Sequence, residues 1–205
     1  MKSVSVYLKH PFTMLISGPT GSGKTIFVKK LIDKSKVSCF PPPEKITYLY
    51  GEYQPIFDTI KGVEFKQGLS LEMNDNIPQW IIIDDLMHES SSNQFISEIF
   101  TKGSHHRNIS IILIVQNFFV KGKEMRNITL NSQYIVLFKN PRDKSLASNI
   151  AKQMYPNKVK WFQKVYEDAT SKPFSYLFID LKPNTPEEIR LLTNILGEGL
   201  LYTYS

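Results

Sequence analysis

The stretch Met14-Leu15-Ile16-Ser17-Gly18-Pro19-Thr20-Gly21-Ser22-Gly23-Lys24-Thr25 constrains this chain more than any other. An apolar strand runs into a glycine-rich turn that closes on Gly-Lys-Thr. Glycines at 18, 21 and 23 let the backbone curl until successive N–H groups converge, and a helix starting at Lys24 turns its positive end toward the same place. The pattern is that of a phosphate-binding loop built from Gly18, Pro19, Thr20, Gly21, Ser22, Gly23, Lys24 and Thr25. Lys24 can reach the β and γ phosphates of a nucleotide as a point charge, and the Thr25 hydroxyl can ligate Mg2+. From average residue usage, this spacing arises by chance in roughly one chain in a hundred of this length.

A second stretch, Trp80-Ile81-Ile82-Ile83-Asp84-Asp85-Leu86, is fully apolar until it ends in two adjacent carboxylates. It reads as a buried parallel strand with acids at its carboxyl tip, where open α/β sheets bind their ligands. Asp84 is expected to hold Mg2+ through water, and Asp85 to polarise an attacking water as general base. Ile109 to Val115 is a further apolar strand, tipped by Gln116-Asn117. Gln116 is placed to sense a γ phosphate or orient water.

Composition bounds the rest. A chain of 205 residues, 41% hydrophobic and 21% charged, suits a single globular domain over residues 1–205, with a core about 12–180 and a C-terminal extension about 181–205. The formal charge of +6 favours a polyanionic partner. Residues 1 to 36 carry seven lysines against one acid, Asp33, and residues 139 to 172 carry eight basic groups against three acids. The first puts much of the positive charge near the nucleotide end or is a solvated lysine face, and the second is a solvated face or a track for a DNA backbone. The lone Cys39 leaves no internal disulfide, and no Cys/His cluster has zinc-ligand spacing. No long apolar tract is uninterrupted, so an intracellular protein without a membrane partner is expected.

Further strands are expected at Phe12 to Ser17, Lys45 to Tyr50, Tyr134 to Phe138 and Ser175 to Asp180. Helices are expected from 24 to 34, 54 to 61, after a cap at Ser91 or Ser92, from 143 to 154, from 158 to 169, and near 187 to 196. Residues 62 to 78 read as surface loop, and His105-His106 as loop residues without metal partners. The fold class is α/β, a doubly wound, mostly parallel sheet flanked by helices.

Several of these segments, taken in order, carry a resemblance. The loop Gly-Pro-Thr-Gly-Ser-Gly-Lys-Thr, the strand end Ile-Ile-Asp-Asp-Leu-Met, Gly-Ser-His-His-Arg-Asn-Ile-Ser entering a strand, Gln116-Asn117, and Leu130 to Asp143 together resemble the FtsK/HerA superfamily. More narrowly, they resemble genome-packaging ATPases of the poxvirus, virophage and polinton-like type, over roughly residues 12 to 150. The resemblance implies a RecA-like P-loop NTPase with an additional strand, hydrolysing ATP with Mg2+. It implies a homo-oligomeric ring that drives double-stranded DNA of any sequence into a preformed capsid, contacting capsid vertex proteins in an infected cell. By position Lys24 and Thr25 match the phosphate and Mg2+ residues, Asp84 the metal-associated acid, and Gln116 the strand-tip glutamine. Asp85 matches the catalytic acid, where many members carry Glu. Arg107 matches the arginine offered to a neighbour's γ phosphate, with Arg142 as the alternative. Two other classes compete with a motor: a P-loop kinase or GTPase, and a DNA-binding or capsid-scaffolding protein that holds ATP as a structural ligand. Against the GTPase, Asn157-Lys158-Val159-Lys160 fails the guanine motif at its last position.

Overall fold

Strands that are apolar on both faces must be covered on both, which places them at the centre of a sheet with helices above and below. The computed structural model describes residues 6–70, 76–86, 90–103, 108–117, 123–143, 145–197 and 201–205. In chain order the strands are β1 (Leu8–Lys9), β2 (Thr13–Ser17), β3 (Cys39–Phe40), β4 (Lys45–Tyr50), β5 (Glu64–Gln67), β6 (Gln79–Asp84), β7 (Ile109–Val115), β8 (Tyr134–Phe138), β9 (Tyr176–Asp180), β10 (Leu191–Thr193) and β11 (Tyr202–Tyr204). The helices are α1 (Lys24–Asp33), α2 (Ser35–Ser38), α3 (Ser90–Glu98), α4 (Lys123–Leu130), α5 (Ser145–Met154) and α6 (Val159–Ala169).

Nine strands form one sheet in the order β11-β10-β9-β8-β2-β7-β6-β4-β5. From β8 to β5 all neighbours are parallel. β9, β10 and β11 then run antiparallel in turn. β7 lies between the loop-bearing strand β2 and the acid-bearing strand β6, so the additional-strand arrangement is present. Side chains alternate across the sheet. Met14, Ile16, Ile82, Ile112, Ile114 and Val136 pack with Phe27, Val28 and Leu31 of α1. Leu15, Ile83, Leu113, Ile135 and Leu137 pack on the other face with Ile96, Met125, Ile150 and Phe162 from α3 to α6.

The short segments depart from the sequence expectations. Within 62 to 78, Glu64–Gln67 is not loop but an edge strand parallel to β4, with Phe65 stacked on Phe57 at 4.9 Å between ring centroids. Its charged neighbours suit an exposed edge and hide the pattern. The helix expected from 54 to 61 is a 3-10 turn, Pro55–Thr59. Ser91 and Ser92 do not cap a helix; they lie inside α3, which starts at Ser90. The helix expected near 187 to 196 is replaced by a 3-10 turn at Glu187–Ile189 and strand β10. There, pairing of Leu191 and Leu192 with β9 overrides a helical spacing, and the Arg190 guanidinium donates to the carbonyls of Asp180, Lys182 and Thr185, fixing the chain outside a helix. β11 and α4 were not foreseen. Among the described residues, no helix is long and apolar enough to cross a membrane.

Candidate nucleotide-binding site

β2 delivers the loop to the carboxyl edge of the sheet, and the Gly18 N–H donates to the carbonyl of Val115, tying loop and additional strand together at 3.3 Å. A Cβ on Gly18 would stand 2.7 Å from both Phe138 Cβ and Ser22 Oγ, so the loop lies too close to β8 for any other residue. Gly23, immediately before α1, has φ 107°, a left-handed conformation open to glycine. Lys24 folds back over the turn and donates to the carbonyls of Gly18 (2.6 Å) and Pro19 (3.0 Å). Burial pushes its ammonium below the usual lysine range, opposed by the charges of Asp84 and Asp85. Ser22 Oγ is buried within the loop without a hydrogen-bond partner, an orphan that a phosphate oxygen would satisfy.

The two acids diverge although they are adjacent. Asp84, the last residue of β6, shares the α1 face with Ile82 and is 6% exposed. Its Oδ2 accepts from the Tyr48 hydroxyl at 2.7 Å. Burial raises the Asp84 carboxyl above the usual range; the Tyr48 bond and Lys24 oppose the rise, and Asp85 adds to it. Asp85 has φ 55°, uncommon for a residue with a Cβ, and so leaves the strand in a different direction. The turn after β4 packs against it, for a Cβ on Gly51 would meet the Asp85 carbonyl at 2.8 Å. Gln116, exposed at the tip of β7, donates from Nε2 to Asp85 Oδ1 at 3.4 Å.

Two residues that sequence reasoning passed over join this group. Gln54 accepts from the Thr25 hydroxyl through Oε1 at 3.2 Å and donates through Nε2 to Asp84 Oδ2 at 3.5 Å. It thus links the two residues expected at the cation. The hydroxyl and carboxylate are hard oxygen donors, and donation of the Thr25 proton to Gln54 turns the hydroxyl lone pairs outward, so the set fits Mg2+. Tyr48 left one clue, a phenol inside an apolar strand that needs a partner; Gln54 left none.

Lys24, Thr25, Asp84, Asp85 and Gln116 are therefore brought to one edge by β2, β6 and β7. Arg142, exposed beyond β8, donates its backbone N–H to Asn140 Oδ1 at 3.1 Å. Arg107, and with it His105-His106, lies outside the described residues.

No family model and no curated protein matches the chain. Among solved structures, the genome packaging NTPase B204 from Sulfolobus turreted icosahedral virus 2, in complex with ATP-gammaS, aligns with a TM-score of 0.50 at 15% identity, covering 85% of this chain and 94% of that one. The P4 protein from bacteriophage phi6, in complex with ADP, aligns at 0.34 and 15% identity over 67% of this chain and 58% of that one. The Legionella pneumophila ATPase DotB aligns at 0.38 and 13% identity over 78% and 53%. The likeness to B204 is one of fold, the α/β P-loop fold with its mostly parallel sheet.

Proposed function

We propose that the chain is an ATP-hydrolysing motor that moves double-stranded DNA into a preformed capsid, working as a homo-oligomeric ring in an infected cell. The observation that carries the reading is the convergence of Lys24, Asp84, Asp85 and Gln116 on the loop, with a strand inserted between the loop strand and the acid strand. The shared fold with a packaging NTPase supports it. A scaffolding protein that merely holds ATP has no need of a carboxylate and a carboxamide paired beyond the loop.

In the proposed reaction, loop amides and Lys24 hold the β and γ phosphates, and Gln116 steadies Asp85 through its amide. Asp85 takes a proton from a water as that water's oxygen attacks the γ phosphorus, and the bond to the bridging β–γ oxygen breaks. Thr25, and Asp84 through water, would hold Mg2+, which would supply positive charge to offset the phosphates. Exposed lysines at 152, 158, 160 and 164, on α5, α6 and the turn between them, are a surface for backbone phosphates. An ATPase assay with and without duplex DNA tests the reading. Hydrolysis stimulated by duplexes of unrelated sequence, with DNA binding that weakens steeply as salt rises, is the expected result. Absence of hydrolysis in both conditions, in assembled protein that binds ATP, argues for the scaffolding class. Strong dependence on one DNA sequence argues against a translocating motor.

A further inference from the structure

Three of the large apolar side chains that stand exposed among the described residues line a single cavity: Ile26 (40% exposed), Phe174 (59%) and Tyr202 (56%). The cavity, about 540 Å³, lies between the first turns of α1 and the C-terminal strands β10 and β11. It has the size of small-molecule sites. Clustered exposed apolar groups of this kind mark a surface that something covers.

The order of strands says what can reach it. Asp84 and Gln116 stand on β6 and at the tip of β7, to one side of the loop strand β2, whereas β8 and β9 lie to the other side. A terminal phosphate facing the acids leaves the rest of the nucleotide to run toward β8 and β9. That direction leads to the turn before β9, residues 171–175, which is held by Ser175 Oγ donating to the Lys172 carbonyl at 2.7 Å and accepting from the Lys172 N–H at 3.2 Å. Phe174 sits at the crest of this turn. It lines the large cavity and also a second one, about 380 Å³, beside Pro19–Ser22 and Lys139. Its Cβ and Cδ1 lie 3.1 and 3.0 Å from where a Cβ on Gly23 would be, so its side chain rests directly on the end of the phosphate loop.

Phe174 also has φ 62°, a conformation that a glycine adopts freely and an aromatic residue rarely does. The strain is not offset by burial, since the ring is mostly exposed. Backbone strain of this kind gathers at ligand clamps.

The geometry points to a nucleobase site: Phe174, opposed by Ile26 and Tyr202, stacks the purine ring of the nucleotide whose phosphates the loop holds. The C-terminal strands are thereby part of the site, with Tyr204 anchored to Asp168 through its hydroxyl at 2.6 Å. This rests on the nucleotide-binding reading above. Aromatic stacking of a base is typically lost at a cost of about ten-fold or more in affinity.

The test is calorimetry with two probes, ATP and inorganic tripolyphosphate, on the wild type, Phe174→Ala and Phe174→Gly. Tripolyphosphate fills the loop but carries no base. Both variants are expected to bind ATP about ten-fold more weakly and tripolyphosphate as the wild type does. Phe174→Gly, which relieves the positive φ, is expected to melt no lower than Phe174→Ala, separating the lost contact from damage to the fold. Equal losses for both probes, or unchanged ATP affinity in folded variants, overturn the base site. Unchanged ATP affinity with lost self-association assigns the cavity to a neighbouring copy and also overturns it. A wild type that binds neither probe overturns the nucleotide reading itself, and the base site with it.

Discussion

Asp84 is buried and Lys24 half-buried, with charges of opposite sign, and desolvation moves each toward its neutral form. For Asp84 the folded protein binds a proton more readily than the unfolded chain. Its ionisation therefore costs stability as pH rises from the ordinary carboxylate range through the raised folded value. Asp84→Asn removes that cost while keeping the shape. It is expected to raise the melting temperature of the nucleotide-free protein at neutral pH, by roughly 2–4 °C for each 1 kcal/mol relieved. The gain should shrink in acid, where the wild type protonates; melting curves between pH 4 and 8 check the sign. The same variant should need more Mg2+ to bind ATP. Asp85 is set apart by its backbone. With φ 55° it occupies a conformation that asparagine tolerates as well, so Asp85→Asn should fold and bind ATP normally. Its hydrolysis rate is expected to fall about 10²- to 10⁴-fold through loss of the base. Turnover near the wild-type rate in a single-turnover assay would remove Asp85 from the mechanism. These two carboxylates were legible in the sequence because their strand is unbroken apolar until it reaches them. Their divergence was not, since it depends on one backbone angle.

The same contrast holds between elements. β4, β7 and β8 begin and end where their runs of β-forming residues do, because strands covered on both faces are almost wholly apolar, with Thr47 and Ser110 as buried polar residues within β4 and β7. β5, β10 and β11 escaped notice because strands of three or four residues carry too little pattern to outweigh a loop or helix reading, and β5 and β11, at the two edges of the sheet, pair on one side only. α4 was missed since only Met125 and Ile128 of its eight residues are buried. Nor did the sequence disclose the brace where the chain enters β2. His10, 5% exposed, has Nδ1 at 2.6 Å from Ser110 Oγ and Nε2 at 2.9 Å from Asn108 Oδ1, joining the approach to β2 to the start of β7. Burial lowers its pKa against the opposing hydrogen bond of Asn108. The unfolded chain takes up a proton near the ordinary histidine value of about 6.5 while the folded one resists. Its contribution is whole above that pH and is lost as pH falls toward the lowered folded value. His10→Gln is expected to flatten this acid decline in melting temperature. His10→Ala should cost about 1–3 kcal/mol at neutral pH, because Ser110 and Asn108 lose a partner. Denaturant unfolding of the three proteins, between pH 5 and 8, reads both effects; parallel curves for wild type and His10→Gln would exclude His10 from the acid response.

At the scale of the molecule, the decisive question is whether one chain can complete the site. β7 has seven residues, so its start at Ile109 lies about 20 Å from Gln116 at its crevice end. Arg107 precedes this strand in the sequence, on the side of β7 opposite to Gln116. We propose that this arginine serves the γ phosphate of a neighbouring chain rather than its own. A trans arginine typically contributes about 10³ to 10⁵ in rate by neutralising transition-state charge. Hydrolysis should then require assembly. Specific activity is expected to rise with protein concentration, and Arg107→Ala to bind ATP normally while hardly turning over. Lys24→Ala fails for a different reason, since it leaves the phosphates without the lysine charge at the loop, yet it still carries an intact Arg107. Mixing the two variants should therefore restore partial activity, because Lys24→Ala subunits lend an arginine to Arg107→Ala subunits that hold ATP. Mass measurement on the mixture must show co-assembly. If co-assembled mixtures stay inactive while Arg142→Ala, exposed beyond β8, is rescued by Lys24→Ala, the role passes to Arg142. If activity per chain holds constant down to demonstrated monomer, each subunit completes its own site, and the ring is not needed for hydrolysis.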